Sequence, residues 1–319
     1  MSHLAPTFSV VVPAYNAADT IESTLRSVLA QTRPDFEVIV VDDGSTDDTA
    51  ARAEALGDPR IRVVRQENGG TAVALNTGIA HARGEFVTLL GADDLYLPTY
   101  LEVMERTLAA APDAGFAYAD AWVLDRRTHR ISRTTASEPQ RPPIPPPDDP
   151  IEFLTELLDR NFVFGLAMVR REAFEQVGPF VDSLRNRQDH EMWLRLVAHG
   201  FRGVLAPGLL SIYRRLPGGR SVSVSSNLLA SAKAEREVYR RVAEEYDVPE
   251  SVRRLARRRM VETEAAIEAV RASQARRRLV PTRLRRLIGR GYRAIRYRHT
   301  WYDTPPPEVA AAFPDLQSL

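Results

Sequence analysis

The chain has 319 residues, of which 44% are hydrophobic and 27% are charged, proportions that suit a folded domain with a sizeable core and an appendage or second domain. It has no cysteine, which excludes a disulfide framework, a thiol nucleophile and a thiolate metal site. No apolar stretch approaches the roughly 18 residues of a spanning helix, and residues 1–12 lack a signal-peptide pattern, so we expect a cytoplasmic protein.

The net charge of +1 conceals an uneven distribution of charge along the chain. Residues 250–300 hold 16 arginines and 4 glutamates, a local charge of +12, which leaves −11 for the rest. This stretch is either a surface that attracts the phosphates of anionic lipid or nucleic acid, or a solvated helical face in an arginine-preferring proteome. The second interpretation rests on the scarcity of lysine, because Lys233 is the one lysine in the chain.

Residues 8–90 predict an alternation of strands and helices. Four short apolar runs have the pattern of strands buried in a parallel sheet, and the segments between them have helical character. The predicted strands are 8–12, 36–41, 61–65 and 86–90, and the predicted helices are 19–31, 48–56 and 71–82. Asp19 and Glu22 form a capping-box-like start for the first helix. This order predicts βαβ units and a parallel sheet with right-handed crossovers.

The remainder of the chain predicts further elements and two irregular segments. Helices are expected at 100–111, 151–160, 171–177 and 188–199, and strands at 116–124 (a strand pair or one long bent strand), 162–169, 201–205 and 209–214. Seven prolines within 139–150 indicate an extended connector, and the glycine- and serine-rich segment 216–226 should be mobile. We expect a domain at 1–225 and a helical, arginine-rich extension at 226–319 with breaks near Pro249 and Pro281.

Two adjacent carboxylates, Asp93 and Asp94, follow the fourth predicted strand. Like charges side by side repel, so a fold that places them at the end of a central strand usually supplies something cationic. A divalent metal that carries a phosphorylated ligand suits hard oxygen ligands at this edge of an α/β sheet. The alternative is that one of the two caps the helix after Pro98 or starts a turn.

Four segments of the chain resemble the ordered motifs of family 2 glycosyltransferases, and the resemblance extends over about residues 7–225. The segments are residues 11–16, 40–47, 84–98 and 188–195. The resemblance implies an α/β GT-A fold with a Rossmann-like, mostly parallel sheet flanked by helices, followed here by a C-terminal helical extension. It also implies an inverting enzyme that moves a hexosyl group from a nucleotide-diphospho-sugar, with UDP as the expected nucleotide, to an acceptor hydroxyl of a glycan or lipid-linked glycan.

The resemblance also assigns the donor site. Asp94 matches the position that contacts a Mn²⁺ or Mg²⁺ ion, which acts as a Lewis acid on the departing diphosphate, and Asp93 matches the position that contacts ribose. Asp43 and Asp42 match residues that recognise the base, with turn formation as the alternative for both. The residues expected to bind the nucleotide-sugar are Pro13, Ala14, Tyr15, Asn16, Asp42, Asp43, Asn68, Gly70, Ala92, Asp93 and Arg214.

Asp189 matches the catalytic base of the family, whose carboxylate accepts the proton of the attacking hydroxyl. The alternative is that Asp189 is only the N-cap of the helix that follows. Glu191 is a second candidate base, and His190 could shape the acceptor site. Trp193 is expected in the core rather than as a sugar-stacking platform.

The chain departs from the family pattern at three places. Gly91 stands where the family often has an aspartate, and Gln188 stands where it commonly has a glutamate. The segment after residue 214 lacks the histidine that can reach the metal or diphosphate, so arginines at 214, 215 or 220 are candidates for phosphate contact. Segment 216–226 is a candidate lid over the donor.

Other functions fit the sequence less well. A catalytically degenerate glycosyltransferase-like protein that binds nucleotide-sugar or glycan without turnover would be favoured by loss of Asp94 or Asp189, and both are present. No Gly-x-Gly-x-x-Gly follows the first strand, which argues against a nicotinamide oxidoreductase, and no nucleic-acid-binding motif accompanies the arginines. For residues 250–300, peripheral contact with the inner face of the membrane, packing on the catalytic domain and homodimer formation all stay open.

Overall fold

The structure is a computed structural model, and it describes residues 6–134, 147–163, 166–215, 228–278, 301–302 and 304–314. Most of the proline-rich connector, the candidate lid at 216–226 with Arg220, the side chain of Arg215, and residues 279–300 of the arginine-rich tail lie outside the described residues.

The N-terminal part of the chain forms parallel strands with intervening helices, as predicted, and each boundary agrees with the prediction to within two residues. The elements are β1 (Phe8–Ala14), α1 (Ile21–Leu29), β2 (Phe36–Asp42), α2 (Thr49–Glu54), β3 (Ile61–Arg65), α3 (Thr71–His81) and β4 (Phe86–Leu89). β4, β1, β2 and β3 lie side by side in that order, all parallel. β1, β2 and β4 are almost entirely buried, which is why their sequences are continuous apolar runs.

The rest of the described chain adds strands on the side of β4 that faces away from β1, and helices around the sheet. These elements are β5 (Leu95–Tyr96), α4 (Tyr100–Ala109), β6 (Ala114–Asp125), β7 (Arg130–Thr134), α5 (Pro150–Asp159), β8 (Met168–Arg170), α6 (Arg171–Val177), α7 (Gln188–Ala198), β9 (Arg202–Arg215), α8 (Leu228–Glu244), α9 (Glu250–Arg278), β10 (Trp301–Tyr302) and α10 (Pro307–Ala312).

The sheet of the described residues is mixed, with the order β10-β7-β6-β8-β4-β1-β2-β3 and with β9 paired to β5 and β6. Parallel pairing is confined to the N-terminal strands and to the long pair β6–β9. The expected α/β fold is confirmed, and 116–124 is part of one long strand. The two strands predicted at 201–205 and 209–214 are one strand, β9. Tyr118 of β6 pairs with Leu205 and Asp120 pairs with Leu209, so β9 has extra residues between these two pairs. It therefore bulges at Pro207 and Gly208 (φ 91°).

Two local predictions are corrected. The N-cap of α1 is Thr20, which makes no side-chain capping bond, and Glu22 pairs with Arg26 instead, so the capping box of Asp19 and Glu22 does not form. The strand expected at 162–169 is limited to Met168–Arg170.

The C-terminal helices share the core of the N-terminal domain rather than standing apart. Val238, Val242 and Tyr246 of α8 and its following turn are buried in the same cluster as Phe153 and Trp193. α9 pairs several of its arginines with glutamates three or four residues away, as in Arg253–Glu250, Arg258–Glu262, Arg259–Glu262 and Arg271–Glu268. These pairs favour a solvated helical face for residues 250–278. In the part of the chain that the structure describes, no helix combines the length and apolar character that spanning a bilayer requires.

A buried charge cluster ties α8 to α7. Glu191 has no exposed surface and pairs with Arg195 at 3.1 Å. The Tyr246 hydroxyl donates a hydrogen bond to the same carboxylate, and Arg241 Nε lies 3.5 Å from it. Breaking one side of such a buried pair is costly because the remaining charge stays buried without its partner.

We expect Glu191→Ala to lower the free energy of unfolding by about 3–5 kcal/mol, measured by urea denaturation. The matched control is Glu22→Ala, which removes an i,i+4 pair with Arg26 whose side chains are 64% and 48% exposed. That variant should lose no more than about 0.5 kcal/mol. Equal losses in the two variants would contradict the assignment of Glu191 to the helix–helix contact.

Candidate active site

A cleft of about 980 Å³ opens at the carboxyl ends of the parallel strands, where α/β sheets bind their ligands. Most of the predicted site residues line it, although they come from distant parts of the chain. They are Pro13, Tyr15, Asn16, Asp43, Asn68, Gly70, Ala92, Asp93, Asp94 and Asp189. Asp189 therefore faces the same cleft as Asp43 and Asp94.

The loop after β1 is held by the loop after β2. Asn16, with φ at 48°, accepts a 2.8 Å hydrogen bond from the backbone N–H of Thr46 and donates its own N–H to Ser45 Oγ at 3.0 Å. Tyr15 is 45% exposed at the rim, so its ring is available to a ligand.

Asp43 organises the glycine pair that begins α3. Its Oδ1 accepts hydrogen bonds from Gln66 Nε2 and from the N–H of Gly69, and its Oδ2 accepts one from the N–H of Gly70, all at 2.8 Å. A carboxylate has about four lone-pair sites, so one site on Oδ2 is left for a ligand N–H. The backbone-organising role and a ligand-binding role are therefore compatible in Asp43.

Ala14 and Asp42 do not line the cleft, which corrects the expectation that they contact the nucleotide. The Ala14 carbonyl accepts the N–H of Asp43 at 2.8 Å, and the buried Asp42 carboxylate accepts the N–H of Ser45 at 3.2 Å. Both residues shape the turn after β2, because their polar groups are used within it.

Asp93 and Asp94 converge above Gly91. A Cβ atom at Gly91 would lie 2.9 Å from Asp94 Oδ2 and 3.0 Å from Asp93 Oδ1. The N–H of Asp94 donates to the Gly91 carbonyl at 3.0 Å, so the pair does lie in a turn. Neither residue caps the next helix, whose N-cap is Thr99, so that alternative is wrong.

Arg214 lies beneath the two carboxylates and not in the cleft, which corrects its predicted contact with phosphate. Its side chain is fully buried and donates to the Asp93 carbonyl and, at 2.7 Å, to Ser23 Oγ and Thr24 Oγ1. Its backbone N–H donates to Asp94 Oδ1 at 3.0 Å. Arg214 thus supplies the cation that the adjacent carboxylates require.

One buried cation does not fully offset two buried carboxylates. Burial and the charge of Asp93 raise the pKa of Asp94 well above its usual value, and burial raises the pKa of Asp93 against the opposing effect of Arg214. Burial lowers the pKa of Arg214 to about 10, which still leaves it charged at neutral pH. The floor of the cleft therefore favours a further positive charge.

The donor set suits a divalent cation. Asp93 Oδ2 is buried without a hydrogen-bond partner among the described residues, next to the Asp94 carboxylate. No group of three or more His, Cys, Asp or Glu side chains in the described residues could hold a metal by itself. Mg²⁺ is typically held by one or two carboxylates together with substrate phosphates and water, so the residues present fit a metal that arrives with a phosphorylated ligand.

Asp189 lies in the first turn of α7, whose N-cap is Arg187 in a left-handed conformation (φ 62°). Asp189 is thus not the N-cap, and that alternative is wrong. Asn161 Nδ2 donates to Asp189 Oδ2 at 3.2 Å, which orients the half-buried carboxylate.

The neighbours of Asp189 serve the core. Glu191 is enclosed by the charge cluster described above and does not line the cleft, so it is excluded as the alternative base. His190 borders the cleft, but its Nε2 is bonded to the Leu157 carbonyl at 2.7 Å and burial lowers its pKa. Trp193 is fully buried, with its ring 5.5 Å from that of Phe116, as expected of a core residue.

The sequence did not single out Arg126, which lies in the turn between β6 and β7 and lines the cleft beside Asp93 and Asp94. Its charge lowers the pKa of Asp93, and within the described residues its side chain makes no hydrogen bond or ion pair. Nothing in the local sequence separates Arg126 from its neighbour Arg127. The fold alone places the first in the cleft and leaves the second exposed.

The architecture is that of GT-A glycosyltransferases. Residues 1–349 of S. aureus TarS in complex with UDP-GlcNAc match with a TM-score of 0.63 and 18% identity, covering 81% of this chain and 71% of that one. The mannosyltransferase PcManGT of Pyrobaculum calidifontis in complex with GDP-Man and Mn²⁺ matches with a TM-score of 0.58 and 20% identity, covering 99% and 85%. At sequence identities of 18% and 20%, these two matches show that the folds are alike and carry no further conclusion.

Sequence comparison gives the family. The family model described as glycosyl transferase family 2 matches residues 9–178. The putative teichuronic acid biosynthesis glycosyltransferase TuaG of Bacillus subtilis is 34% identical over a match that covers 76% of this chain and 90% of TuaG. Two uncharacterized glycosyltransferases, one of Rickettsia typhi and one of Rickettsia prowazekii, are matched over 59% and 58% of their own lengths. The chain belongs to glycosyltransferase family 2 and is a glycosyltransferase.

The two arginines near the carboxylates should behave differently on substitution. We expect Arg214→Met to lower the free energy of unfolding by about 3–5 kcal/mol, because it leaves Asp93 and Asp94 buried without their cation. Arg126→Met changes a half-buried side chain that makes no hydrogen bond or ion pair with the described residues, so it should alter the free energy of unfolding by no more than about 0.5 kcal/mol. Chemical denaturation measures both, and a stable Arg214→Met variant would refute the buried-cation role.

Proposed function

We propose that the protein is an inverting hexosyltransferase that moves a sugar from a UDP-sugar to a hydroxyl of a glycan or lipid-linked glycan during polysaccharide biosynthesis, with Mn²⁺ or Mg²⁺ at Asp94. The observation that carries the proposal is that Asp43, the Asp93–Asp94 pair and Asp189 line one cleft. The UDP-GlcNAc complex of TarS, the Mn²⁺ complex of PcManGT and the likeness to TuaG support it.

In the donor half of the cleft, each side chain has a role that its geometry permits. The exposed ring of Tyr15 packs on the base, and the free lone pair of Asp43 Oδ2 accepts an imide N–H. Asp93 accepts from the ribose, and Asp94 holds the metal. The bound cation supplies positive charge for the departing diphosphate. The guanidinium of Arg126 takes the phosphate contact that Arg214 cannot make, because Arg126 lines the cleft and makes no hydrogen bond or ion pair with the described residues.

In the acceptor half, Asp189 accepts the proton of the attacking hydroxyl while Asn161 holds its Oδ2. The oxygen attacks the anomeric carbon from the face opposite the diphosphate, and a single displacement inverts that centre. Both Asp94 and Asp189 are present, so nothing favours the non-catalytic binding protein. We place the catalytic domain at 1–225 with 226–319 as its extension, and a cytoplasmic location and membrane contact remain predictions.

The donor site is tested by titrating UDP into the full chain with and without Mn²⁺ in a calorimeter. We expect Mn²⁺-dependent binding that weakens by at least about tenfold in Asp94→Asn, which removes a charged ligand of the metal, and in Arg126→Met, which removes a charged contact to the diphosphate. The matched controls are Asp48→Asn and Arg127→Met, exposed residues of the same type outside the cleft, and both should bind UDP normally.

The same titration has a pH dependence with a defined sign. The metal competes with a proton for Asp94, and the pKa of Asp94 is raised. Mn²⁺-dependent UDP binding should therefore weaken as the pH falls, beginning above the usual titration range of a carboxyl group. If the affinity for UDP were the same with and without Mn²⁺ and in both cleft variants, the donor site would be contradicted.

The base is tested by UDP release from a panel of UDP-sugars, where water can replace an unknown acceptor. Asp189→Asn should slow release by about 10²–10⁴-fold, the usual contribution of a positioned base, while UDP affinity stays the same. Glu191→Gln is the comparison variant. Because Glu191 belongs to the buried charge cluster and not to the cleft, we expect this variant to unfold more easily but to release UDP at the normal rate per folded molecule. The reverse pattern would transfer the base role to Glu191.

A further inference from the structure

The cleft continues past the donor half into a second group of polar residues, of which the proposed function uses Asp189 and Asn161. Its volume of about 980 Å³ lies at the upper end of the range for sites that hold one small molecule. Beyond Asp189, the lining includes Asp159 at the end of α5, Arg187 before α7, and three residues of α8. The cleft therefore offers polar surface to a ligand beside the base.

Three residues of α8 form a polar stripe along one side of this region. Ser231, Glu235 and Tyr239 are four residues apart, so they lie on the same face of the helix, and all three line the cleft. Tyr239 donates its hydroxyl to Glu235 at 3.2 Å. An adjacent face of α8 carries Val238 and Val242 into the core. Packing of that apolar face fixes the direction in which the stripe, here called the α8 stripe, points.

The cleft lining next to Asp189 has acceptor atoms without donors. Asn161 Oδ1 and Gln188 Oε1 are buried and have no hydrogen-bond partner in the described residues. Because Asn161 Nδ2 donates to Asp189, its oxygen must point elsewhere. Buried acceptors of this kind cost free energy unless a ligand or water donates to them. Together with the Glu235 carboxylate they suit a ligand that carries several hydroxyl groups.

An ion pair links the α8 stripe to the residue that precedes α7. Arg187 Nη2 lies 3.7 Å from Glu235 Oε2, with the side chains 36% and 30% exposed. Arg187 is two residues before Asp189, so this pair shows that the α8 stripe lies close to the segment that carries the proposed base. The stripe belongs to the segment that the family resemblance does not cover.

We propose that the α8 stripe, with Asn161 and Gln188, forms a sugar-binding subsite that places an acceptor hydroxyl at Asp189. The inference rests on the proposed function for the role of Asp189. The glycan hydroxyls donate to Asn161 Oδ1, Gln188 Oε1 and Glu235, and the exposed part of Arg187 donates to glycan oxygens. The C-terminal helix α8 is therefore part of the substrate site rather than an accessory to it.

The absence of native cysteine makes thiol labelling of the full chain specific. Ser231→Cys places one thiol in the stripe, and Lys233→Cys places one on the exposed face of the same helix as a matched control. Labelling by a maleimide is followed with UDP and Mn²⁺ alone and after addition of p-nitrophenyl glycosides of glucose, galactose, N-acetylglucosamine, mannose and glucuronic acid.

At least one glycoside should slow labelling of Ser231→Cys by about fivefold at several times its Kd, with no effect on Lys233→Cys. Adding Glu235→Gln to Ser231→Cys should raise the glycoside concentration that gives this protection about tenfold, because a charged hydrogen-bond acceptor is lost. UDP affinity should be the same in all these variants.

Two results would overturn the subsite. Protection of Ser231→Cys by UDP and Mn²⁺ alone would assign the stripe to the donor, and normal UDP binding without protection by any glycoside would remove the sugar subsite but leave the donor site standing. Protection by a glycoside in a chain that binds no UDP would support the subsite while contradicting the proposed function.

Discussion

The site depends on the arrangement of one buried guanidinium below two adjacent carboxylates. Arg214 comes from β9, Asp93 and Asp94 follow β4, and the hydroxyls that hold the guanidinium, Ser23 and Thr24, come from α1. The pairing of β5 with β9 brings these elements together. A single cation stabilises the turn in the folded chain, yet leaves enough uncompensated negative charge at the cleft floor to favour another cation above it.

The two halves of the cleft come from different parts of the fold. The donor half is built on the parallel strands, where backbone N–H groups of the β1 and β2 loops each donate to a side chain of the other loop. The other half is built by α5, α7 and α8, which share one core. On α7, Asp189 and Glu191 are two residues apart and so point to nearly opposite sides of the helix. Asp189 faces the cleft, while Glu191 joins the helix to Arg241 of α8 and to Tyr246 in the turn that follows α8.

Much of this arrangement could be predicted from the sequence. The strands β1 to β4 are apolar runs because both of their faces are buried. Such a run can be recognised in the sequence without knowing which strands lie next to it. The carboxylates at residues 43, 93, 94 and 189 follow or begin predicted elements in a recognisable order, and all of them reach the cleft. Trp193 was assigned to the core together with its apolar neighbours Leu194 and Leu196, a local property of the sequence, and all three are buried there.

What the sequence by itself determined was therefore the order of the elements, the edge of the sheet that holds the site and the chemical type of its main residues. Only the tertiary structure decided which of several similar residues faces the cleft. Arg214 and Arg126 are both arginines near strand ends, yet one is buried beneath the carboxylates and the other stands beside them. The same holds for Asp189 and Glu191. Local patterns encode periodicity and burial, whereas the direction of a charged side chain depends on partners that are distant in the chain and meet only when the sheet and its helices pack.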